Sequence, residues 1–279
     1  MNKQKKTALV TGAGMGIGRG IALELAENGY NVAIHCNGST DGAMEAAEAA
    51  RAFGVRAEVI RADLSKKAGV DALFDAFAEE FARLDLLVAN AGVTKTGDIL
   101  TFPEEDFDLV AAVDLKGSYY CIQRAANLMK AAGGGHIVVI SSNNAHMNTP
   151  NASAYASIKA GLTHLARHAA VELAHAHIRV NTISPGWTDT GSARMGDPAD
   201  TYYKVPAKRW VKPVEIAKAV LFLDSEWAGR PLAVCSPTLC NELQAKGKAG
   251  CEHAILSPLV TIGNLHMELS PSFPDTIGH

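Results

Sequence analysis

The amino-acid sequence predicts an α/β fold in which a doubly wound parallel sheet carries helices on both faces. Short apolar runs of strand length alternate with longer amphipathic segments over most of the chain. A glycine-rich loop directly follows the first apolar run and opens a helix. The chain has 279 residues and 48% hydrophobic content, enough for a full core in a single domain. We therefore expect one domain over residues 1–229 and an atypical tail over residues 230–279.

Composition and charge narrow the class of protein. The net charge of −3 and the pI of about 6.4 provide no basic field that would attract nucleic acid. No apolar run approaches membrane-spanning length, and the run after the basic N-terminus is too short for a signal peptide. Cys36 and Cys121 fall in apolar segments, where buried, reduced thiols are typical. These features predict a cytoplasmic protein whose partner is a small molecule.

A glycine motif follows the first predicted strand, Thr7–Val10. The loop reads Thr11-Gly-Ala-Gly-Met-Gly-Ile-Gly18. Between a strand and a helix, Gly12 permits a tight turn, Gly16 lets the backbone approach a pyrophosphate, and Gly18 lets helix and strand pack closely. The pattern predicts a Rossmann-like dinucleotide site, and the alternative is a glycine-rich connection without a ligand.

The residue that ends the second predicted strand, Val32–Ile34, normally separates the two nicotinamide cofactors. An acid there binds the ribose hydroxyls of NAD and repels a 2′-phosphate. Here the position is Cys36, and the polar run Asn37-Gly-Ser-Thr40 follows, although no Arg or Lys accompanies it. Hydroxyl, amide and backbone donors can bind a phosphate. The sequence therefore favours NADP(H) over NAD(H).

Further elements follow at regular intervals. Asp63 ends the third predicted strand, where its carboxylate could accept from an adenine amino group; the alternative is an N-cap of the next helix. Gly92, after the fourth strand, lets the chain turn close to a ribose, and Gly117 is a close-packing or bending point. The predicted elements are helices over residues 43–53, 70–81, 103–130, 153–176 and 213–224, and strands over residues 56–62, 84–89, 136–140 and 178–184.

Tyr155 and Lys159 form the chemically suggestive pair of the sequence. Their spacing of four places both side chains on one helical face, where the lysine charge can favour the phenolate. Ser142 follows a buried strand, so its hydroxyl is expected at a strand's carboxyl end, where ligands bind in open sheets. A Ser that donates to a carbonyl oxygen and a Tyr that exchanges its proton suit carbonyl reduction or alcohol oxidation. Taken alone, the pair could also be a solvated surface pair.

The last predicted strand is followed by Pro185-Gly-Trp-Thr-Asp-Thr190 at its carboxyl end. The backbone around Thr188 and the hydroxyl of Thr190 would reach the carboxamide and phosphates of a nicotinamide cofactor. Residues 191–210 are polar with several glycines and prolines, and this composition is typical of a substrate lid.

These motifs together, in this order, resemble the classical type of the short-chain dehydrogenase/reductase family over residues 6 to about 228. The chain is similar to 3-oxoacyl-carrier-protein reductase-like and sugar-dehydrogenase-like members. The resemblance implies that Tyr155 is the general acid/base, that Lys159 activates it and binds the nicotinamide ribose, and that Ser142 orients the carbonyl. It also implies a homodimer or homotetramer and a cofactor site formed by Gly12, Gly14, Met15, Gly16, Ile17, Gly18, Asn37, Asp63, Leu64, Asn90, Ala91, Gly92, Tyr155, Lys159, Pro185, Gly186, Thr188 and Thr190.

The sequence departs from the family at two places. Asp114 stands where members usually have the Asn of the catalytic tetrad, which donates to a backbone carbonyl. A carboxylate there is expected to oppose that carbonyl, leave two buried acceptors together and slow oxidation more than reduction. The tail, residues 230–279, shows nothing similar to the family, and its apolar run, residues 254–262, is interrupted by Pro258. We therefore expect a doubtful C-terminal edge strand and a dimer or loose tetramer.

The leading hypothesis is an oxidoreductase that transfers hydride between NADP(H) and a small carbonyl/alcohol pair. Its alternative is a nucleotide-binding sensor or scaffold of the same fold with little turnover. A zinc-stabilised module is a third possibility, on Cys235, Cys240, Cys251 and His253, but their spacings match no common zinc pattern. We therefore expect no metal site.

Overall fold

The centre of the molecule is a parallel β-sheet. The computed structural model describes residues 5–191 and 209–225, together with the backbone of residues 259–262 and 265–268. The parallel strands are β1 Thr7–Val10, β2 Asn31–Cys36, β3 Ala57–Arg61, β4 Leu86–Ala89, β5 Gly135–Ile140 and β6 Ile178–Ser184. They pair in the order β3-β2-β1-β4-β5-β6. The order reverses between β1 and β4, which is the switch point where open α/β sheets bind ligands.

Helices connect and cover the strands. They are α1 Gly16–Glu27, α2 Thr40–Arg51, α3 Lys67–Glu80, α4 Glu104–Val110, α5 Ser118–Ala131, α6 Ser153–Leu173 and α7 Pro213–Asp224. Because the sheet is covered on both faces, successive strand residues enter two apolar layers. In β4, Leu86 and Val88 pack with α1, α2 and α7, whereas Leu87 and Ala89 pack with α3, α5 and α6. In residues 5–191 and 209–225 no helix is both long and apolar enough to cross a membrane. The doubly wound parallel sheet expected from the sequence is confirmed.

The long helix predicted over residues 103–130 is interrupted. A π-helical segment, Ala111–Gly117, separates α4 from α5. Its wider turn carries Asp114, which is fully buried. A Cβ added at Gly117 would lie 2.6 Å from the carbonyl oxygen of Leu64, so glycine is required for this approach. The prediction of a close-packing point at Gly117 is therefore confirmed.

α7 ends on a buried carboxylate that joins separate parts of the amino edge of the sheet. Asp224 accepts hydrogen bonds from the Tyr30 hydroxyl and from Lys6 Nζ, the latter at 2.8 Å. His136 Nδ1 lies 3.0 Å from the second carboxylate oxygen. Burial raises the pKa of Asp224, but the hydrogen bonds from His136, Lys6 and Tyr30 outweigh it and hold that pKa below its usual range. Asp224 therefore fastens the end of the last described helix to the sheet.

The tail adds two antiparallel strands to the sheet, β7 Leu259–Ile262 and β8 Leu265–Glu268. β8 pairs with β6, with Thr182 opposite Glu268, and β7 pairs with β8. The expectation of a doubtful C-terminal edge strand is therefore wrong. Pro258 precedes β7 and does not interrupt it, so its missing N–H removes no hydrogen bond within the strand.

Candidate active site

The glycine loop after β1 is anchored to the end of β4. Thr11 Oγ1 accepts the N–H groups of Asn90 and Ala91, at 2.9 and 3.0 Å. Asn90 Nδ2 donates to the carbonyl oxygens of Thr11 at 2.8 Å and of Gly12 at 3.2 Å. The side-chain amide that the resemblance assigns to the adenosine ribose thus uses its hydrogens to fix the loop.

Neighbouring atoms leave no room for a side chain at Gly14 or Gly18 of this loop. A Cβ at Gly14 would lie 2.3 Å from Ser39 Oγ, and one at Gly18 would lie 2.3 Å from the carbonyl oxygen of Gly12. Gly16 has a φ of +56°, and its Cβ would meet Thr190 at 3.2 Å. The loop therefore presents bare backbone at its glycines, with Thr190 beside Gly16.

The start of α1 fits the pyrophosphate of a dinucleotide. Met15 is the N-cap residue and makes no side-chain capping bond, and the first turn holds no acidic residue. Four N–H groups at a helix start lack intrahelical partners, and the helix dipole favours an anion there. The uncapped helix end and the close-packed glycine loop together suit a phosphate ligand.

His35, near the end of β2, also holds the loop, and no local sequence pattern indicates it. The Gly12 N–H donates to His35 Nδ1 at 3.0 Å, and His35 Nε2 lies 3.1 Å from the carbonyl oxygen of Ala62. Both contacts are hydrogen bonds only when the proton is on Nε2. Burial lowers the pKa of His35 to about 4, although the bond to Ala62 opposes this. His35 is therefore a neutral imidazole that joins the glycine loop to the end of β3.

The polar run after β2 has an arginine beside it. Arg61 is opposite Cys36 in the β2–β3 register, and its Nε donates to the Asn37 carbonyl at 2.9 Å. The run has no Arg or Lys near it in the sequence, but the fold places Arg61 beside it, so the expectation that no basic residue accompanies it is wrong. Cys36 itself is fully buried in the apolar layer.

Asp63 follows β3 and shapes the turn after it. Its Oδ1 accepts the Ser65 N–H at 3.0 Å and the Ser65 hydroxyl at 2.7 Å, and these bonds lower its pKa. α3 begins only at Lys67, with Lys66 as its N-cap residue. The alternative of Asp63 as a helix N-cap is therefore wrong, because its side chain accepts hydrogen bonds within a turn that precedes the helix. The Leu64 side chain is buried in the core.

Tyr155 and Lys159 lie where α6 passes the carboxyl end of β5. Lys159 Nζ is 5.7 Å from the centre of the Tyr155 ring and donates to the Ile140 carbonyl at 3.3 Å. Ser142 follows β5 and its Oγ accepts a backbone N–H in the turn over residues 143–145. The structure thus brings the three predicted catalytic side chains to the same edge of the sheet, where the glycine loop also lies.

Asp114 contacts Lys159 and a backbone N–H. Its Oδ1 accepts the Val93 N–H at 2.7 Å, and its Oδ2 lies 3.1 Å from Lys159 Nζ. Oδ2 has no hydrogen-bond donor in good geometry, so the attraction to Nζ is chiefly that of opposite charges. The expectation that this carboxylate opposes a carbonyl is therefore wrong, because the loop after β4 presents an N–H to it.

Asp114 and Lys159 form a buried ion pair, with side chains 0% and 4% exposed. Burial raises the pKa of Asp114, against the effects of Lys159 and the Val93 N–H. Burial lowers the pKa of Lys159, but the electrostatic effects of the Tyr155 and Asp114 side chains outweigh it and the net direction is upward. A Cβ at Gly92 would lie 2.8 Å from Asp114 Oδ2, so glycine at this position makes room for the pair.

The segment after β6 is fixed by short contacts. Asn143 donates its N–H to the Pro185 carbonyl at 2.9 Å, and Thr188 Oγ1 donates to the Gly186 carbonyl at 3.0 Å. Thr188 also forms an isolated parallel bridge with Val211. Most of the predicted lid, residues 192–208, lies outside the described residues, as do the four residues of the zinc hypothesis.

A parallel sheet with a bare glycine loop at its switch point and a Tyr–Lys pair after β5 defines a class, the dinucleotide-dependent oxidoreductases. A family model described as enoyl-(acyl carrier protein) reductase matches residues 12–230. The chain belongs to the short-chain dehydrogenase/reductase family. It is an NAD(P)-dependent oxidoreductase acting on CH–OH/C=O groups.

Three relatives illustrate the range of the family. A 3-oxoacyl-acyl-carrier-protein reductase of Staphylococcus epidermidis is 38% identical over 226 residues, which is 80% of this chain and 93% of that protein. The angucycline C-6 ketoreductase LanV, solved with NADP, is 37% identical with a TM-score of 0.75, covering 80% of this chain and 90% of its own. A 7α-hydroxysteroid dehydrogenase solved with NADH is 32% identical with a TM-score of 0.74, covering 79% and 87%.

Proposed function

We propose that this protein transfers hydride between NADP(H) and a small carbonyl or alcohol substrate, with Tyr155 as the general acid/base. The observation that carries the proposal is the buried ammonium of Lys159, 5.7 Å from the Tyr155 ring at the carboxyl edge of the sheet. A positive charge at that distance favours the ionised form of the phenol, which makes proton exchange with a substrate oxygen feasible.

Each side chain has a distinct task. In reduction, the Tyr155 hydroxyl gives its proton to the substrate oxygen, while Ser142 Oγ donates a hydrogen bond that holds this oxygen. When bound, the nicotinamide group supplies or accepts the hydride. Lys159 stabilises the phenolate that remains on Tyr155, and Asp114 reduces the net positive charge that Tyr155 experiences. In oxidation, the Tyr155 phenolate accepts the substrate proton.

The proposed cofactor path runs along the carboxyl edge of the sheet. The start of α1 would hold the pyrophosphate, the turns after β3 and β4 the adenosine, Lys159 the nicotinamide ribose, and the segment after β6 the carboxamide. Gly12 would serve only as the turn, because its N–H is engaged by His35. The residues assigned to this path are Gly14, Met15, Gly16, Ile17, Gly18, Asn37, Asp63, Leu64, Asn90, Ala91, Gly92, Pro185, Gly186, Thr188 and Thr190.

The preference for NADP(H) is supported by the surroundings of Asn37. The Arg61 guanidinium is exposed beside this residue, and an arginine can pair with a 2′-phosphate. Arg61→Gln should weaken NADPH binding about tenfold and leave NADH binding within about twofold. Arg51→Gln is the matched control, since Arg51 is exposed on α2 and pairs with Glu58. Equal losses for both cofactors in Arg61→Gln would contradict the assignment. Cys36→Asp is a poorer test because it would bury a carboxylate.

Turnover separates the enzyme from a sensor or scaffold of the same fold. A panel of small ketones and alcohols should be assayed with NADPH and NADH by absorbance of the reduced nicotinamide. We expect turnover with at least one substrate, and a loss of at least about a hundredfold in Tyr155→Phe with cofactor affinity retained. Cofactor binding without turnover on any substrate would favour the sensor. Absence of both would contradict the proposed function.

A homodimer or homotetramer is the proposed assembly. A groove of about 690 Å³ lies between the π-helical segment, α5 and α6, lined by Leu115, Tyr119, Tyr120 and Leu165 among others. Apolar grooves of this kind are typical of protein contact surfaces. Sedimentation of wild type and of Tyr119→Glu tests it, with a smaller species expected for the variant. A wild-type monomer at all concentrations would contradict this assembly.

A further inference from the structure

We infer that His35 is a positioning residue for the cofactor site, because its neutral imidazole holds the Gly12 amide in the orientation that the glycine loop requires. The inference rests on the proposed function, since the loop is the proposed pyrophosphate site. His35 does not touch the reacting atoms and acts through Gly12.

The Gly12 peptide is held from two sides. Its N–H donates to His35 Nδ1 at 3.0 Å, and its carbonyl oxygen accepts from Asn90 Nδ2 at 3.2 Å. Gly12 has a φ of +65°, a conformation that favours glycine. The Gly12 carbonyl is also the atom against which Gly18 packs. Gly12 therefore contacts both the strands behind the loop and the start of α1.

The ring of His35 is itself fixed. His35 is 2% exposed, and Nε2–H donates to the Ala62 carbonyl at the end of β3. The His35 carbonyl in turn accepts the Ala13 N–H at 2.8 Å. One residue of β2 thus receives two consecutive N–H groups of the loop, one on its side chain and one on its backbone. An aliphatic side chain at position 35 would keep the second bond and lose the first.

Replacing His35 with Asn or with Gln distinguishes the two hydrogen bonds of the imidazole, to Gly12 and to Ala62. The side-chain oxygen of Asn lies as many bonds from Cβ as His Nδ1 does, so His35→Asn can still accept from Gly12 but cannot reach Ala62. The Gln amide nitrogen extends toward the place of Nε2, so His35→Gln can donate to Ala62 but leaves Gly12 without an acceptor. Both variants lose one hydrogen bond, and only the second releases the loop.

The first experiment measures the dissociation constants of NADPH and NADH by nicotinamide fluorescence for wild type, His35→Asn and His35→Gln. For each cofactor that the wild type binds, we expect His35→Gln to raise the dissociation constant about tenfold and His35→Asn to raise it at most about threefold. The kcat at saturating cofactor should be unchanged in both, while urea unfolding reports their stability. Equal weakening by Asn and Gln, or no weakening by Gln, would overturn the inference.

The second experiment needs neither cofactor nor substrate. Amide hydrogen exchange of peptides covering residues 11–18 should be faster in His35→Gln than in His35→Asn, after correction for global stability. If the wild type bound no nicotinamide cofactor, the proposed function would fail while this difference could still be observed. Identical exchange in the two variants would show that His35 does not hold the loop.

Discussion

Asp114→Asn tests the electrostatics of the candidate active site with a nearly isosteric change. The Asp114 carboxylate lies 3.1 Å from Lys159 Nζ, which lies 5.7 Å from the centre of the Tyr155 ring. The carboxylate is therefore within about 9 Å of the ring centre. In the variant, the amide oxygen can still accept the hydrogen bond from the Val93 N–H, and the buried negative charge is removed.

The size of the effect follows from these distances. At an effective dielectric constant of about 20, two unit charges about 9 Å apart interact by about 2 kcal/mol. The negative charge disfavours the Tyr155 phenolate, so its removal should stabilise the phenolate by roughly that amount. Oxidation uses the phenolate as its base. The pH at which the oxidation rate levels off should therefore fall by roughly one unit, because one pH unit corresponds to about 1.4 kcal/mol.

The assay is the initial rate of alcohol oxidation at saturating cofactor, from about pH 6 to about pH 11. We expect Asp114→Asn to be faster than wild type near neutral pH and little changed in reduction. Glu105→Gln is the control, because Glu105 is an exposed acid on the preceding helix. Superimposable profiles would give Asp114 no part in catalysis. A profile shifted to higher pH would show that its main effect is to keep Lys159 charged, and would refute the reasoning.

Three further predictions concern stability and packing. The neutral His35 should make the free energy of unfolding of the wild type fall by up to about 3 kcal/mol as pH decreases from about 6.5 to about 4, because the unfolded chain binds the proton more tightly. In urea unfolding, the dependence of this free energy on pH should be weaker for His35→Asn. Asp224→Asn should lower the free energy of unfolding by about 3 kcal/mol at neutral pH. The difference in stability between wild type and variant should shrink as pH falls below the ordinary carboxyl pKa, because the pKa of Asp224 is lowered in the folded protein. A difference that does not depend on pH would contradict this. Gly92→Ala should reduce turnover at least about tenfold by displacing Asp114 and Lys159. No such loss is expected in Gly161→Ala, whose Cβ would make only an ordinary contact with Leu115, at 3.8 Å.

The parts of the structure that sequence reasoning anticipated depend on local spacing. The strands follow from short apolar runs, and the glycine loop follows from its place between a strand and a helix. The Tyr155–Lys159 pair follows from a spacing of four residues, which a helix converts into a shared face. Arg61 and His35 could not be found in this way. Their importance depends on the β2–β3 register and on a contact between β2 and the loop after β1, which no local pattern encodes.

Two other errors have separate physical causes. The expected partner of Asp114 is wrong because it follows the family's Asn, which donates to a carbonyl, whereas here the loop after β4 presents the Val93 N–H to the carboxylate. The edge strands were doubted because of Pro258, although the Gly-Asn dipeptide at residues 263–264 is a sequence signal typical of a two-residue hairpin.

The π-helical segment also constrains how this protein can change. Such a segment contains one residue more than an α-helical turn accommodates, and one residue corresponds to a rotation of about 100° around a helix axis. Deletion of a single residue between Ala111 and Gly117 would therefore rotate Asp114 relative to the buried face of α5. Either the ion pair with Lys159 or the packing of Cys121 and Ala125 would then be lost. Because of the extra residue, one continuous stretch of helix can place Asp114 against Lys159 near its start and pack the apolar face of α5 in the core.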